Sequence, residues 1–109
     1  MEGEKKMKQN KIITIVATNP QQRIKLIQRT LVQLNFALTA GDADKLIKPN
    51  VYDVDLSLAY YVCADNFNFR ESPITTQRLY EMAARGMAVI VGVRRLQKEY
   101  EFMCQAIYE

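Results

Sequence analysis

Polar and charged side chains follow the strands that the sequence predicts, and their types could bind an anion. Parallel strands end at one edge of a sheet, close to helix N-termini whose free N–H groups favour negative charge. The candidate ligand-binding residues are Thr18, Asn19, Asp65, Asn66, Arg70, Ser72, Thr75 and Arg94. Their hydroxyl, amide and guanidinium groups predict a phosphate or carboxylate ligand, such as a nucleotide or another anionic small molecule.

Simpler roles also explain part of this set. Ser72 precedes Pro73 and fits the cap of a helix, and Thr75 fits an exposed position in the first turn. In the preceding loop, Phe67 and Phe69 predict either an exposed aromatic pair or a loop folded onto the core. The chain has no RNP-like or helix-turn-helix pattern, so we do not expect nucleic acid as a partner.

Sequence motifs for cofactors and metals are missing. Neither GxxxxGK[ST] nor GxGxxG occurs, which excludes the ordinary P-loop and dinucleotide sites, and we expect no cofactor. Because the chain has no histidine, the commonest metal ligand and general base, we expect no metal site and favour a non-catalytic protein. Asp53 and Asp55 could hold Mg²⁺ from one side of a strand, but acids at an exposed strand entrance are the favoured interpretation.

The charge of the chain is concentrated in its first residues. The net charge is +3, and within 1–11 four lysines against two glutamates give +2 of that total. We predict a flexible basic tail over 1–11 and a single α/β domain over 12–109. No apolar stretch approaches the roughly 20 residues that span a bilayer, and no secretory signal is recognisable. We therefore expect a cytoplasmic protein with no membrane partner.

Hydrophobic patterns predict alternating strands and helices. The predicted elements are a strand over 12–18, a helix over 20–35, a strand over 54–64, a helix over 73–86, a strand over 87–93 and a second amphipathic helix that follows Arg95 and ends at Ile107. Residues 36–52 contain a break in the pattern, and the sequence does not determine their secondary structure. A strand over 36–39 and a short helical turn after Asp42 are both compatible with the pattern.

The apolar run 87–93 has two interpretations. Apolar residues recur at coiled-coil spacing from 79 to 107, as one long helix over 73–108 would require. However, Gly86 falls on that seam and Gly92 lies inside the run, and each glycine costs a helix about 1 kcal/mol. An apolar run with no polar side instead favours a strand that is covered on both faces.

The predicted fold is a single small α/β domain of three layers with a mostly parallel, Rossmann-like sheet. The alternative is a ferredoxin-like α+β fold with an extra C-terminal helix, in which 36–39 would pair antiparallel with its neighbours. Cys63 and Cys104 lie far apart without a CxxC pattern, and we expect two buried, reduced thiols.

The β–α–β arrangement over 55–93 resembles small Rossmann-like ligand domains. In some nucleoside-processing members of that class, a serine or threonine in the loop and a glutamate in the helix handle the sugar. Ser72 and Glu81 are the corresponding residues of this sequence. The resemblance implies a small enzyme as one alternative function.

Three functions are therefore expected from the sequence. The first is a non-catalytic domain that binds a ligand or nucleotide and has a regulatory role. The second is an interaction module, with a homodimer formed through the C-terminal helix. The third is the small nucleoside-processing enzyme.

Overall fold

A four-stranded parallel sheet forms the centre of the molecule. The computed structural model describes residues 11–109, so the predicted tail over 1–11 lies almost wholly outside the described residues. The strands are β1 (Ile12–Val16), β2 (Tyr61–Ala64), β3 (Ala88–Val93) and β4 (Cys104–Tyr108), arranged in the order β2-β3-β1-β4. All three strand pairs are parallel, which confirms the α/β class and excludes the ferredoxin-like alternative.

The strand order sets a limit on the Rossmann-like resemblance. The Rossmann fold has the order 3-2-1-4, in which the second strand lies beside the first. In this chain β3 lies beside β1, and the connection from β1 to β2 passes over β3. The resemblance therefore extends to the parallel sheet and its helices but not to their topology.

Among the described residues, three helices cover the sheet, and two of them begin as the sequence predicts. They are α1 (Pro20–Gln33), α2 (Ala40–Asp44) and α3 (Pro73–Ala84). Asn19 caps α1 by accepting a hydrogen bond from the Gln22 N–H at 3.0 Å. After α3, Gly86 has a φ of 97°, a conformation that favours glycine and ends the helix. Within 11–109, no helix is long and apolar enough to cross a membrane.

Alternation along the strands divides the core between the two faces of the sheet. One face packs against α1 and α2 through a cluster that includes Ile15, Cys63 and Ile90. The other face packs against α3 and the segment that follows β3, and its cluster includes Val89 and Val91. Because adjacent residues of β3 face opposite layers, the whole strand must be apolar. The predicted strand over 87–93 is thus confirmed, and the long helix is wrong.

The predicted C-terminal helix is wrong. Lys98–Met103 form a 3₁₀ helix, and β4 then pairs with β1 along its length. The apolar spacing of 96–107 fits a helix and also fits this turn followed by a strand, so local pattern cannot distinguish them. Pairing with β1 decides the outcome, because it supplies backbone hydrogen bonds and buries Met103 and Cys104. The homodimer predicted through a C-terminal helix therefore has no such helix to form it.

The predicted strand over 54–64 is mostly wrong, since within this range only Tyr61–Ala64 forms a strand. Val51–Asp53 form a 3₁₀ turn, and the Asp55 carboxylate accepts hydrogen bonds from the Ser57 N–H and hydroxyl, which closes a turn. Tyr60, expected on a strand face, is 92% exposed. Local side-chain hydrogen bonds have thus overridden the β propensity of this segment.

The open region 36–52 contains no regular strand. Thr39 caps the short helix α2 by accepting a hydrogen bond from the Asp42 N–H at 3.1 Å. Lys48 forms a single bridge beside the end of β2. Of the two alternatives left open for this region, the short helical turn is present.

Both cysteines are buried free thiols, as predicted. Burial, with a smaller contribution from the Asp65 carboxylate, raises the pKa of Cys63 from about 9.0 to about 12. Burial also raises the pKa of Cys104. Both thiols therefore stay protonated at neutral pH and act as small apolar side chains of the core.

Because its pKa is raised, the Cys63 thiol contributes to the unfolding free energy at neutral pH, and this contribution is lost at alkaline pH. The unfolded thiol ionises near pH 9 and the folded thiol near pH 12, so this contribution is complete below about pH 9 and is lost as the pH rises toward about 12. We expect Cys63→Ala to flatten the decline of the unfolding free energy across that window, measured by urea denaturation at several pH values. Equal slopes in both proteins would contradict this expectation.

Candidate functional site

A topological switch point lies between β1 and β3, at the carboxyl edge of the sheet. After β1 the chain enters α1, which packs on one face. After β3 it enters the segment over 94–103, which packs on the opposite face, where Tyr100 stacks on Phe69. The two neighbouring strands thus send their connections to opposite sides. In open α/β sheets, ligands bind in the crevice that this divergence creates.

A cleft of about 500 Å³ occupies this position. Its lining is mainly polar and comes from the loops after β1, β2 and β3. The lining residues are Thr18, Asn66, Phe67, Asn68, Glu71, Arg94, Arg95 and Gln97. Ligand pockets commonly span about 300–1,000 Å³, so a small molecule fits the available space.

Of the eight predicted ligand-binding residues, Thr18, Asn66 and Arg94 line the cleft. The predicted set omitted the other five lining residues, which are Phe67, Asn68, Glu71, Arg95 and Gln97. For Glu71 and Arg95 a signal existed, because each lies next to a residue in the predicted set. For Gln97 no local signal existed, since a helix was expected there.

Capping and ion pairing occupy two of the other predicted residues. Asn19 caps α1 with its side chain. Arg70 forms an exposed ion pair with Glu99, with Nη2 and Oε2 at 2.6 Å. The hydrogen bond from the backbone N–H of Glu99 lowers the pKa of the Glu99 carboxyl, and Arg70 lowers it further. Asn19 and Arg70 therefore both have partners within the protein, and neither lines the cleft.

Ser72 and Thr75 also lie outside the cleft. The Ser72 hydroxyl is buried and hydrogen bonds to the Tyr52 hydroxyl. It forms no side-chain cap on α3, contrary to expectation. Thr75 is half-buried and is not part of the lining. Ser72 and Thr75, which were predicted to help form an anion site at the N-terminus of α3, are therefore absent from the lining of the cleft.

The loop after β2 is held rigidly against the end of β3. Asn66 adopts a left-handed conformation with a φ of 63°, which asparagine tolerates better than most residues. The Phe67 N–H then donates to the Gly92 carbonyl at 2.9 Å. Phe67 and Phe69 are buried and pack edge to face, so the loop is folded onto the core. Buried aromatic rings thereby fix the backbone from which Asn66 and Asn68 enter the cleft.

A buried ion pair lies directly behind the cleft. Arg23 is only 4% exposed, and its Nε and Nη2 donate to the two carboxylate oxygens of Asp65 at 2.5 and 3.1 Å. Its Nη1 also donates to the Ala17 carbonyl at 2.9 Å. One guanidinium thus connects α1 to the chain after β1 and to the end of β2. Asp65, predicted as a ligand-binding residue, instead positions the cleft.

Gly92 leaves the space that this ion pair needs. A Cβ built on Gly92 would overlap the Asp65 Oδ1 and would lie 2.9 Å from the Ile27 Cδ1 and 3.2 Å from the Arg23 Cδ. The backbone of β3 thus approaches the ion pair more closely than any residue with a side chain allows. This close approach explains the glycine inside a strand whose other residues are all apolar.

The electrostatics of the cleft favour an anion. Arg94 and Arg95 are exposed, and neither forms an ion pair with any residue of the 11–109 range. Glu71 adds one carboxylate at the rim. Two guanidinium groups therefore outweigh one carboxylate in the lining.

The residues considered for metal binding and catalysis are not assembled into a site. Asp53 lies in the 3₁₀ turn and the carboxylate of Asp55 is engaged by Ser57, and the described residues contain no cluster of three metal-ligating side chains. Ser72 and Glu81 lie at opposite ends of α3, roughly 13 Å apart along the axis at the rise of a helix. No observation brings these residues together around a substrate.

No protein family matches this chain, and no curated protein or solved structure is significantly similar to it.

We expect Gly92→Ala to lower the unfolding free energy by about 1–3 kcal/mol, as overpacking of a core does. The added methyl group would displace Asp65 from Arg23. Gly41→Ala is the matched control, because its Cβ would meet only the Thr39 Oγ1 at 3.8 Å. Urea denaturation measures both changes, and an equal effect of the two substitutions would show that the close approach at Gly92 is not tight.

Proposed function

We propose that this protein is a small, non-catalytic binding domain for an anionic small molecule, and that a nucleotide is the ligand class that suits the cleft best. One observation carries the proposal. At the switch point between β1 and β3, the cleft presents Arg94 and Arg95, which form no ion pair with any other described residue. The position is the one at which open α/β sheets bind their ligands.

The two arginines supply the charge for a phosphate group. A guanidinium group donates two parallel hydrogen bonds to phosphate oxygens and stays charged at all physiological pH values. Arg94 and Arg95 lie next to each other at the end of β3 and both line the cleft. Arg70, in contrast, is already paired with Glu99. The phosphate group is therefore expected beside the end of β3.

The remaining lining suits the polar parts of a nucleoside. A carboxylate at such a crevice accepts hydrogen bonds from ribose hydroxyls in dinucleotide-binding folds, and Glu71 offers one here. The Asn68 Oδ1 already accepts the N–H groups of Arg70 and Glu71, which leaves its amide NH₂ to donate to a ligand. These groups supplement the arginines with both an acceptor and a donor.

The lining favours binding over catalysis. Thr18 contributes a hydroxyl, but no hydrogen bond joins it to a basic group in the described part of the chain. An activated nucleophile needs such a neighbouring base. The nucleoside-processing enzyme has no comparable observation in its favour, because Ser72 is engaged by Tyr52 and Glu81 lies far from it.

Thermal unfolding with nucleoside mono-, di- and triphosphates tests the proposal, with the free nucleoside and inorganic phosphate as reference ligands. A ligand at roughly 100 times its Kd stabilises the folded state by about 2.7 kcal/mol and raises Tm. We expect Arg94→Gln combined with Arg95→Gln to abolish this shift. Arg29→Gln, which changes an exposed arginine of α1, is the control and should retain it. No shift with any phosphate-containing ligand, or an equal shift in the double variant, would contradict the proposal.

Glu71→Gln separates a nucleotide from a simple anion. If Glu71 accepts hydrogen bonds from sugar hydroxyls, the substitution should weaken nucleotide binding while binding of inorganic phosphate is unchanged or tighter, because a negative charge is removed. Isothermal titration calorimetry of both ligands measures the difference. Equal weakening for the two ligands would point to a structural role for Glu71.

A further inference from the structure

Within residues 11–109, β4 has no strand on its outer side, whereas the opposite edge of the sheet is partly covered. At β2, the Lys48 N–H donates to the Cys63 carbonyl and the Asp65 N–H donates to the Lys48 carbonyl, each at 2.9 Å. β4 pairs with β1 alone among the strands of the described chain. An open edge offers a row of N–H and C=O groups to another strand.

The outward-facing groups of β4 can be identified from its register. The Glu109 N–H donates to the Val16 carbonyl at 3.2 Å, so this residue points toward β1. Backbone groups alternate in direction along a strand, and Gln105 and Ile107 therefore point the same way. The even-numbered residues of β4 point outward. The Cys104 N–H is already bonded to the Glu101 carbonyl, but those of Ala106 and Tyr108 have no partner in 11–109.

This edge lacks the features that usually prevent strand addition. Natural edge strands carry lysine, proline or a bulge that blocks pairing. Residues 102–108 (Phe-Met-Cys-Gln-Ala-Ile-Tyr) contain no charged residue and no proline. The aromatic rings of Phe102 and Tyr108 are 61% and 60% exposed. The edge is therefore both available for hydrogen bonding and apolar.

We propose that β4 pairs antiparallel with β4 of a second copy of this chain, which joins the two sheets into one of eight strands. A two-fold axis at Ala106 places Ala106 opposite its own copy and Cys104 opposite the partner's Tyr108. The two Ala106 residues exchange two hydrogen bonds, and each Tyr108 N–H donates to the Cys104 carbonyl across the interface. Every available outward N–H of the strand is then used.

The absence of charge from β4 supports a second copy as the occupant, and the hydrogen-bonding positions select this register. β4 (Cys104–Tyr108) contains no charged residue, so two copies of the strand pair without opposing charges of the same sign. Centred on Gln105 instead, the pairing would place the Tyr108 N–H opposite Phe102, which lies in the 3₁₀ helix and not in the strand. The chosen register thus brings identical strands together without repulsion.

Side-chain packing is also self-complementary in this arrangement. Phe102 contacts Tyr80 of α3 edge to face, so it lies on the α3 side of the sheet. Cys104 belongs to the core cluster on that side, Tyr108 shares the side by alternation along β4, and the partner's Tyr108 is brought diagonally toward Phe102. The exposed rings of Phe102 and Tyr108 then become buried in both copies, because a two-fold axis brings the same surface patch of each copy into contact.

Sedimentation equilibrium of the full chain tests the proposal, together with Ala106→Lys. We expect a dimer for the unmodified chain, and at least a tenfold weaker one for the variant, because two lysines would face each other at the axis. An equimolar mixture of Ala106→Lys and Ala106→Glu should restore dimerisation. Ala84→Lys, at an exposed position of α3, should leave it unchanged. A monomer at all concentrations would overturn the proposal.

Residue-resolved hydrogen exchange distinguishes this interface from any other. The Ala106 and Tyr108 amides should gain protection as concentration rises, while those of Gln105 and Ile107 are protected throughout by β1. A dimer in which the Ala106 and Tyr108 amides exchange freely would overturn the proposal. The phosphate-binding variants leave β4 unaltered, so failure of the ligand-binding proposal would leave this experiment unaffected.

Discussion

The pairing of β1 with β3 on one side and β4 on the other is the constraint on which the rest of the structure depends. It places the first strand inside the sheet and forces the connections after β1 and β3 onto opposite faces. The divergence of those connections creates the cleft. The same pairing fills the inner edge of β4 and leaves its outer edge without a strand in the part of the chain that the structure describes. Both proposed binding surfaces thus follow from one choice of neighbours.

The Arg23–Asp65 ion pair holds together the chain segments next to the cleft. Burial of a charged pair is costly unless its hydrogen bonds are satisfied, and here three guanidinium nitrogens have acceptors. The pair joins α1, the end of β1 and the end of β2 behind the cleft, and Gly92 provides the space for it. The two charges of this pair therefore neutralise each other, while Arg94 and Arg95 form no ion pair within residues 11–109.

The candidate site was only partly predictable. Thr18, Asn66 and Arg94 could be found because each follows a strand, and the ends of parallel strands meet. Asp65 also follows a strand, yet it is engaged by an arginine 42 residues earlier in the chain. Nothing near Asp65 in the sequence indicates that partner. Residue type alone cannot separate a side chain that binds a ligand from one that holds the loop in place.

The sequence by itself determined the α/β class, the helices that begin at Pro20 and Pro73, and the central strand over 87–93. Each rests on local physics: helix caps, apolar spacing, and a run too apolar to leave either face exposed. Only the tertiary structure decided that 104–108 is a strand, because its helical spacing is as good as its strand pattern until β1 supplies a partner. It also decided the role of Gly92, because the position of this glycine in the apolar run does not indicate which residues it approaches. The pairing of β4 with β1 and the close approach at Gly92 join residues that lie far apart in the sequence, so the local sequence pattern does not indicate them.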